Sequence, residues 1–278
     1  MNLIYKLYNL ALAEQTMPTP WGRYHILWIV GVVAFSVVLC ALIGKSEDRG
    51  FRVSILVLWG IMLVFETYKQ VFFSISVSEG ALVFDYDWCV FPFQLCSTPL
   101  YVLPFLGILR DGPARDFAAS YTMSFALLGG LAVYAFPGSV FGKCIIGNVH
   151  TMLHHGIQIV TGIVTAARYG RRIGHSFFMK GVAVFTAMFT VAMLLNTVGR
   201  EYLVSIGEIS ADTPFNMFMI NPAFRIETPV LQDLVGRISP WAIVAIYFFG
   251  VPIAAAAVAW GCRAIYQSST SGRKILSR

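Results

Sequence analysis

Charge is what this chain has least of. Only 12% of its 278 residues are Asp, Glu, Lys or Arg, against 57% hydrophobic, where a soluble chain carries about a quarter charged. Internal repeats and low-complexity tracts are also missing. Their absence excludes fibrous and disordered classes and leaves an inverted-repeat transporter without support. Five cysteines and no Cys-x-x-Cys pair do not make a disulfide scaffold. The net charge of +6 has no basic stripe behind it, so nucleic acid is not an expected partner. Nor does the N-terminus read as a signal peptide, because Lys6 interrupts its apolar run and Pro18 and Pro20 follow.

What the chain does have is long apolar runs. A bilayer-spanning helix needs about 20 of them in a row. Seven stretches qualify, at 24–44, 53–74, 90–109, 116–137, 145–168, 175–197 and 238–262. The expectation is an all-α polytopic membrane bundle, one transmembrane domain over 1–278, with seven helices or six. Pro92 and Pro104 break the third stretch, and the second and fifth carry polar residues inside. Leu3, Leu7, Leu10 and Ala11 share one helical face, which reads as a short interfacial helix within 1–23 or as a frayed tail. Residues 198–237 read as an outer loop or lid.

Lys and Arg set the orientation. Lys45, Arg49, Arg52, Arg110, Arg115, Arg168, Arg171, Arg172, Arg263, Arg273, Lys274 and Arg278 fall in one set of loops. Lys6, Arg23, Lys143, Arg200, Arg225 and Arg237 fall in the other, and the stretch 75–89 has none. A multi-pass cell-membrane protein with its N-terminus outside and C-terminus cytoplasmic is expected.

On that topology the ionisable groups converge. Glu66, Lys69 and Gln70 lie in the outer third of helix 2, and Cys96 about two turns into helix 3. Asn148, His150, His154 and His155 open helix 5, and Asn196, Arg200 and Glu201 end helix 6. At 1.5 Å per residue all fall within about 15 Å of the outer surface. Charged groups at that depth are costly and point to function. Each also has a structural reading: Glu66–Lys69 as an ion pair, Cys96 as packing, Asn196 as an interhelical bond, Lys180 snorkelling at the inner end. Cys89 and Cys144 sit at outer helix ends, either bonded to each other or as free thiols; Cys40 and Cys262 read as packing.

A thiol beside an imidazole is an acyl acceptor once its proton is removed. The run Phe91-Pro92-Phe93-Gln94-Leu95-Cys96, followed by His150-x4-His155-Gly156, resembles the YwaF-like integral membrane proteins, which include transmembrane protein 164-like acyltransferases. Tyr24-His25-Ile26, Glu66, Asn196 with Gly199 and Tyr202, and Pro240-Trp241 extend the resemblance over about residues 22–262. It implies acyl transfer on membrane glycerophospholipids, with Cys96 carrying the acyl group and His155 as base, and with no metal or cofactor. Glu66 or Asn196 would orient the imidazole. Lys69, Gln70, Arg200 and Tyr202, with Asn196, would bind substrate, and Arg225 is a further candidate for the phosphate. Spacing alone favours the face shared by His150 and His154, so the three imidazoles stay open as bases.

Two other readings compete. His150-x3-His154 with Glu66 and Cys96 could hold a metal for an intramembrane hydrolase. A transporter or receptor with an outward-facing polar cavity would also place polar groups here.

Overall fold

The computed structural model describes residues 15–43, 47–78, 81–224 and 231–276. Among the described residues the chain forms seven main helices in this order: α1 Arg23–Ile43, α2 Asp48–Phe73, α3 Pro99–Ile108, α4 Pro113–Ala135, α5 Ile145–Tyr169, α6 His175–Ser205 and α7 Pro240–Leu276. The bundle is all-α apart from one antiparallel hairpin, β1 Ile75–Ser78 with β2 Ala81–Phe84. α4 and α6 each contain one π-helical turn, at Thr122–Ala126 and Leu195–Gly199. The expected interfacial helix on Leu3, Leu7, Leu10 and Ala11 lies outside the described residues, as do Lys45 and Arg225.

Five of the helices, α1, α2, α4, α6 and α7, are long and apolar enough to cross a membrane. α1 turns most of its apolar surface outward, with Leu27 71% exposed, and buries only His25, Val32, Ser36 and Ile43. Such a helix needs hydrocarbon, not water, around it. The chain is a multi-pass membrane protein.

The third predicted helix, 90–109, is not one helix. A 3₁₀ turn at Trp88–Val90 gives way to extended chain, then a second 3₁₀ turn at Leu95–Ser97, and α3 starts only at Pro99. Proline explains the break: Pro92 pushes Phe91 out of the helical region, and Pro99 takes the first helical turn, where its missing N–H costs nothing. Inside α3, Pro104 leaves the carbonyl of Leu100 without its helical donor. Trp59 Nε1 on α2 supplies one at 2.8 Å. The ten residues of α3 rise only about 15 Å, so this limb enters as irregular chain and leaves as a helix. At membrane depth such backbone is tolerated only where protein surrounds it.

α5 is the helix the bundle surrounds. It packs against α1, α2, α4 and α7. It is also the most polar, and is absent from the five apolar spans. Its buried side includes His150, His154, Gln158, Thr161 and Thr165, a stripe close to helical period. Gly130 on α4 and Gly156 and Gly162 on α5 allow the close approach. A Cβ on Gly130 would stand 2.8 Å from the carbonyl oxygen of His155.

The end opposite the hairpin is laced by ion pairs. Arg115, fully buried, bonds Asp48 at 2.8 Å, and Arg168 joins the same carboxylate. Arg172 bridges Asp111 and Asp116. Lys180, expected to snorkel, bonds Asp116 at 2.6 Å. Arg52 donates to the terminal carbonyls of α3 at Gly107 and Ile108, closing helix-end acceptors that would otherwise be bare.

Gly130→Ala tests the close approach. The methyl group meets backbone, which cannot rotate away, so overpacking of about 1–3 kcal/mol is expected. Thermal unfolding in detergent should show a lower midpoint; an unchanged midpoint would mean that α4 and α5 are not packed this tightly.

Candidate functional site

Glu66 occupies the position on α2 where the buried stripe Phe51, Ile55, Leu58, Met62 would place another apolar residue. It is 3% exposed, and its oxygens gather donors from two helices. Lys69 Nζ lies 2.7 Å from Oε1, and Gln70 Nε2 donates to the same oxygen at 2.7 Å. His150 Nε2 on α5 donates to Oε2 at 3.0 Å. Gln70 Nε2 also reaches the carbonyl of Val90 at 2.6 Å, and the Tyr86 hydroxyl donates to Gln70 Oε1 at 2.6 Å. Burial and then the charge of Glu66 push the Tyr86 phenol up to about 12, so it remains a donor. The network ties α2, α5 and the irregular chain before α3 into one block.

A second set of bonds holds the Leu95–Ser97 turn. The carbonyl of Cys96 accepts from His154 Nε2 at 2.9 Å and from Gln158 Nε2 at 2.8 Å. A carbonyl only accepts, so His154 carries its proton on Nε2 and offers a lone pair at Nδ1. That Nδ1 is buried without a hydrogen-bond partner and faces Glu66 Oε2 at 3.9 Å. His155 has the opposite tautomer. Its Nδ1–H donates to the carbonyl of Thr151 at 2.8 Å, and its Nε2 is buried and unpartnered. The two rings stand 5.6 Å apart, centroid to centroid. Two adjacent imidazoles thus each keep one ring nitrogen without a protein partner, and His154 is bonded to the residue that bears the thiol. No hydrogen bond joins Cys96 Sγ to an imidazole among the described residues; the contact runs through the Cys96 carbonyl.

Residues 20–260 match the model of the TMEM164 family. The chain belongs to the TMEM164 family. No curated protein and no solved structure matches it. The match takes in all seven helix starts and every member of the polar cluster described above.

Of the residues singled out by sequence, the structure brings together Glu66, Lys69, Gln70, His150, His154, His155 and the backbone of Cys96. It does not bring the others there. Asn196 clasps backbone instead: its amide donates to Met217 O at 2.9 Å and accepts from Met217 N at 2.6 Å. That clasp, with Asn216 and Asn221 bonded to the same loop, holds Phe218 and Met219 at φ 58° and 56°, a costly conformation for such side chains. Arg200 donates to the carbonyl of Ala211 and stacks over Phe224 at 5.0 Å. Tyr202 is 62% exposed. Asn148 likewise bonds both backbone groups of Gly142.

The loop after α6 does reach the site's approach. Gln94 Nε2 donates to Asn216 O at 2.9 Å, and Phe218 stacks on Phe93 at 6.0 Å. Beside it, between the hairpin base and this loop, lies a cavity of about 380 Å³ lined by Asp85, Asp87 and Glu208 with Phe73, Tyr86 and Trp88.

Gln158 was not picked out from sequence. It continues the i, i+4 series of His150 and His154, and that period was the signal to follow. The possible metal site is real as a grouping, since Glu66, His150 and His154 offer ligand atoms within 4.8 Å of one another. The Lys69 ammonium lies 2.7 Å from Glu66, so a cation bound there would share that carboxylate with Lys69.

Cys89 is exposed, and no disulfide joins it to Cys144. Partial burial and then the Asp87 carboxylate, which accepts from the Cys89 backbone N–H, push its thiol up to about 11. Only the thiolate reacts. Maleimide labelling of the Cys89 peptide, read by mass spectrometry, should therefore be slow at neutral pH and rise steeply toward pH 11. Asp87→Asn should move that rise to lower pH. Rapid labelling at pH 7 would contradict the environment described.

Proposed function

We propose that this membrane protein transfers fatty acyl chains on glycerophospholipids through a thioester on Cys96. The observation that carries the reading is the fixed tautomer of His155. Thr151 holds its Nδ1–H and leaves a desolvated Nε2 lone pair with no protein donor, the state a general base must be in before it takes a proton. Resemblance to YwaF-like proteins adds the expectation of a Cys–His pair. In the proposed cycle His155 takes the proton of the Cys96 thiol, and the thiolate attacks the ester carbonyl of the donor lipid. The ester C–O bond breaks, and the proton passes to the departing lysolipid. The acyl chain then moves from sulfur to an acceptor hydroxyl. Acyl tails would lie between helices, and Lys69 would face the phosphate as a point charge.

The loop after α6 would act as a lid. The arginine-rich end would face the cytoplasm, with the N-terminus and the hairpin outside the cell membrane, following the Lys and Arg bias. Ser78→Cys, at an exposed hairpin position, in a Cys89→Ser background should label with an impermeant maleimide added outside intact cells. Labelling only after permeabilisation would reverse the orientation.

Activity is tested by moving a labelled acyl chain between phospholipids in proteoliposomes. Cys96→Ala should abolish transfer while leaving the protein folded, and His155→Ala should lower it about 10²–10⁴-fold. Chelator should have no effect. Full transfer by Cys96→Ala would end the thioester mechanism, and loss on chelation alone would favour a metal held by Glu66, His150 and His154.

A further inference from the structure

Acyl transfer through sulfur needs two proton abstractions, one from the thiol and one from the acceptor. The cluster holds two imidazoles with open lone pairs, and His155 accounts for one. We infer that His154 is the second base: its Nδ1 takes the proton of the acceptor hydroxyl, and the Glu66 carboxylate stabilises the imidazolium that forms. This rests on the proposed thioester and assigns the step that resolves it.

Three observations converge on it. First, Nε2 of His154 is bonded to the Cys96 carbonyl at 2.9 Å, which holds the ring against the residue that would bear the acyl group. Second, Nδ1 is an unpartnered acceptor in a side chain that is 98% buried, by a relative exposure of 2%. A buried acceptor is costly to leave bare; here the missing partner must be a donor. Third, the nearest charge is negative, with Glu66 Oε2 3.9 Å from that nitrogen. A carboxylate there does nothing for neutral imidazole but favours the imidazolium. Glu66 Oε2 accepts from His150, and one O–H at Nδ1 would supply the donor that nitrogen lacks. Lys69 balances the Glu66 charge from the other oxygen at 2.7 Å.

The step balances. The acceptor O–H bond breaks toward Nδ1 as its oxygen attacks the thioester carbonyl. A new C–O bond forms, the C–S bond breaks, and the proton returns from His154 to the Cys96 sulfur. Water as acceptor gives a free fatty acid; the hydroxyl of a lysophospholipid gives a diacyl lipid. Both use the same seat.

The test follows the acyl-enzyme. A phospholipid with a radiolabelled acyl chain is mixed with protein in proteoliposomes, quenched in acid, and scored for hydroxylamine-sensitive label on Cys96, free fatty acid and acylated lysophospholipid. Gln at position 154 can place its amide Nε2 where the ring Nε2 was, so His154→Gln keeps the donor to Cys96 and puts a non-basic amide oxygen in place of the basic nitrogen. It should form acyl-enzyme as wild type does and then hold it, with hydrolysis and transfer both slower by about 10²–10⁴-fold. Wild-type rates for both products in His154→Gln would overturn the assignment and leave His154 a positioning residue only.

A wild-type measurement covers the case in which the variant does not fold. With one shared seat, added lysophospholipid must suppress fatty-acid release as diacyl product rises. Fatty-acid release untouched by lysophospholipid would overturn the shared seat. If wild type itself forms no label on Cys96, the thioester reading fails and this assignment fails with it. Label that forms and clears normally in His154→Gln sinks only the second base.

Discussion

The carbonyl oxygen of Cys96 accepts two hydrogen bonds from one helix, and much of the site's geometry follows from that junction. His154 and Gln158 are one turn apart on α5, and both reach the same acceptor. Prolines deny this stretch a regular helix, so its carbonyl has no partner of its own at that depth. Side chains from α5 replace the missing helical donor, much as Trp59 replaces it for Leu100. The consequence for chemistry is a tautomer. A neutral imidazole that donates at Nε2 accepts at Nδ1, and the same logic, run through Thr151, sets neutral His155 the other way. Two imidazoles with opposite unpartnered nitrogens arise from backbone bonding alone.

Glu66 makes that arrangement affordable in a membrane. A buried carboxylate without partners would take up a proton or unfold the site. Here it has Lys69, Gln70 and His150, and Gln70 carries the connection on to Val90 and Tyr86. Lys69 offsets the Glu66 charge, so the carboxylate can sit among helices. Because the block joins α2, α5 and the chain entering α3, it also fixes where Cys96 stands relative to α5.

Much of this was legible in the sequence, in unequal parts. Helix number follows from apolar run length, which the bilayer imposes directly. The Glu66–His150–His154 grouping followed from depth, since residues equally far from one helix end meet if their helices touch. Rotation about the helix axis was not legible. Asn196 and Arg200 lie at a suitable depth, yet they turn to the loop after α6, because Met217 and Ala211 present backbone groups that need partners. That demand depends on the path of a loop without periodicity. The hairpin was likewise missed. Its strands are four residues each, too short for alternation to stand out beside membrane-length runs. Within the third stretch Pro92 was visible, but whether it kinked or ended a helix depended on neighbours able to bond the freed carbonyls.

The polarity of α5 sets one further constraint. A helix bearing three histidines, a glutamine and two buried threonines cannot face lipid, where each unpaired group would be costly. It must be enclosed, and enclosure at helix–helix distance needs small residues at the crossings. Gly130, Gly156 and Gly162 supply them, each with a neighbour closer than 3 Å to where a Cβ would be. The glycines and the histidines are therefore one feature. The glycines let α1 and α4 close over α5, and that closure removes water from the nitrogens that α5 carries. In such a site a lone pair left open has no solvent to satisfy it. What keeps α5 tolerable in the membrane is also what leaves one nitrogen of His154 and one of His155 buried without a protein partner.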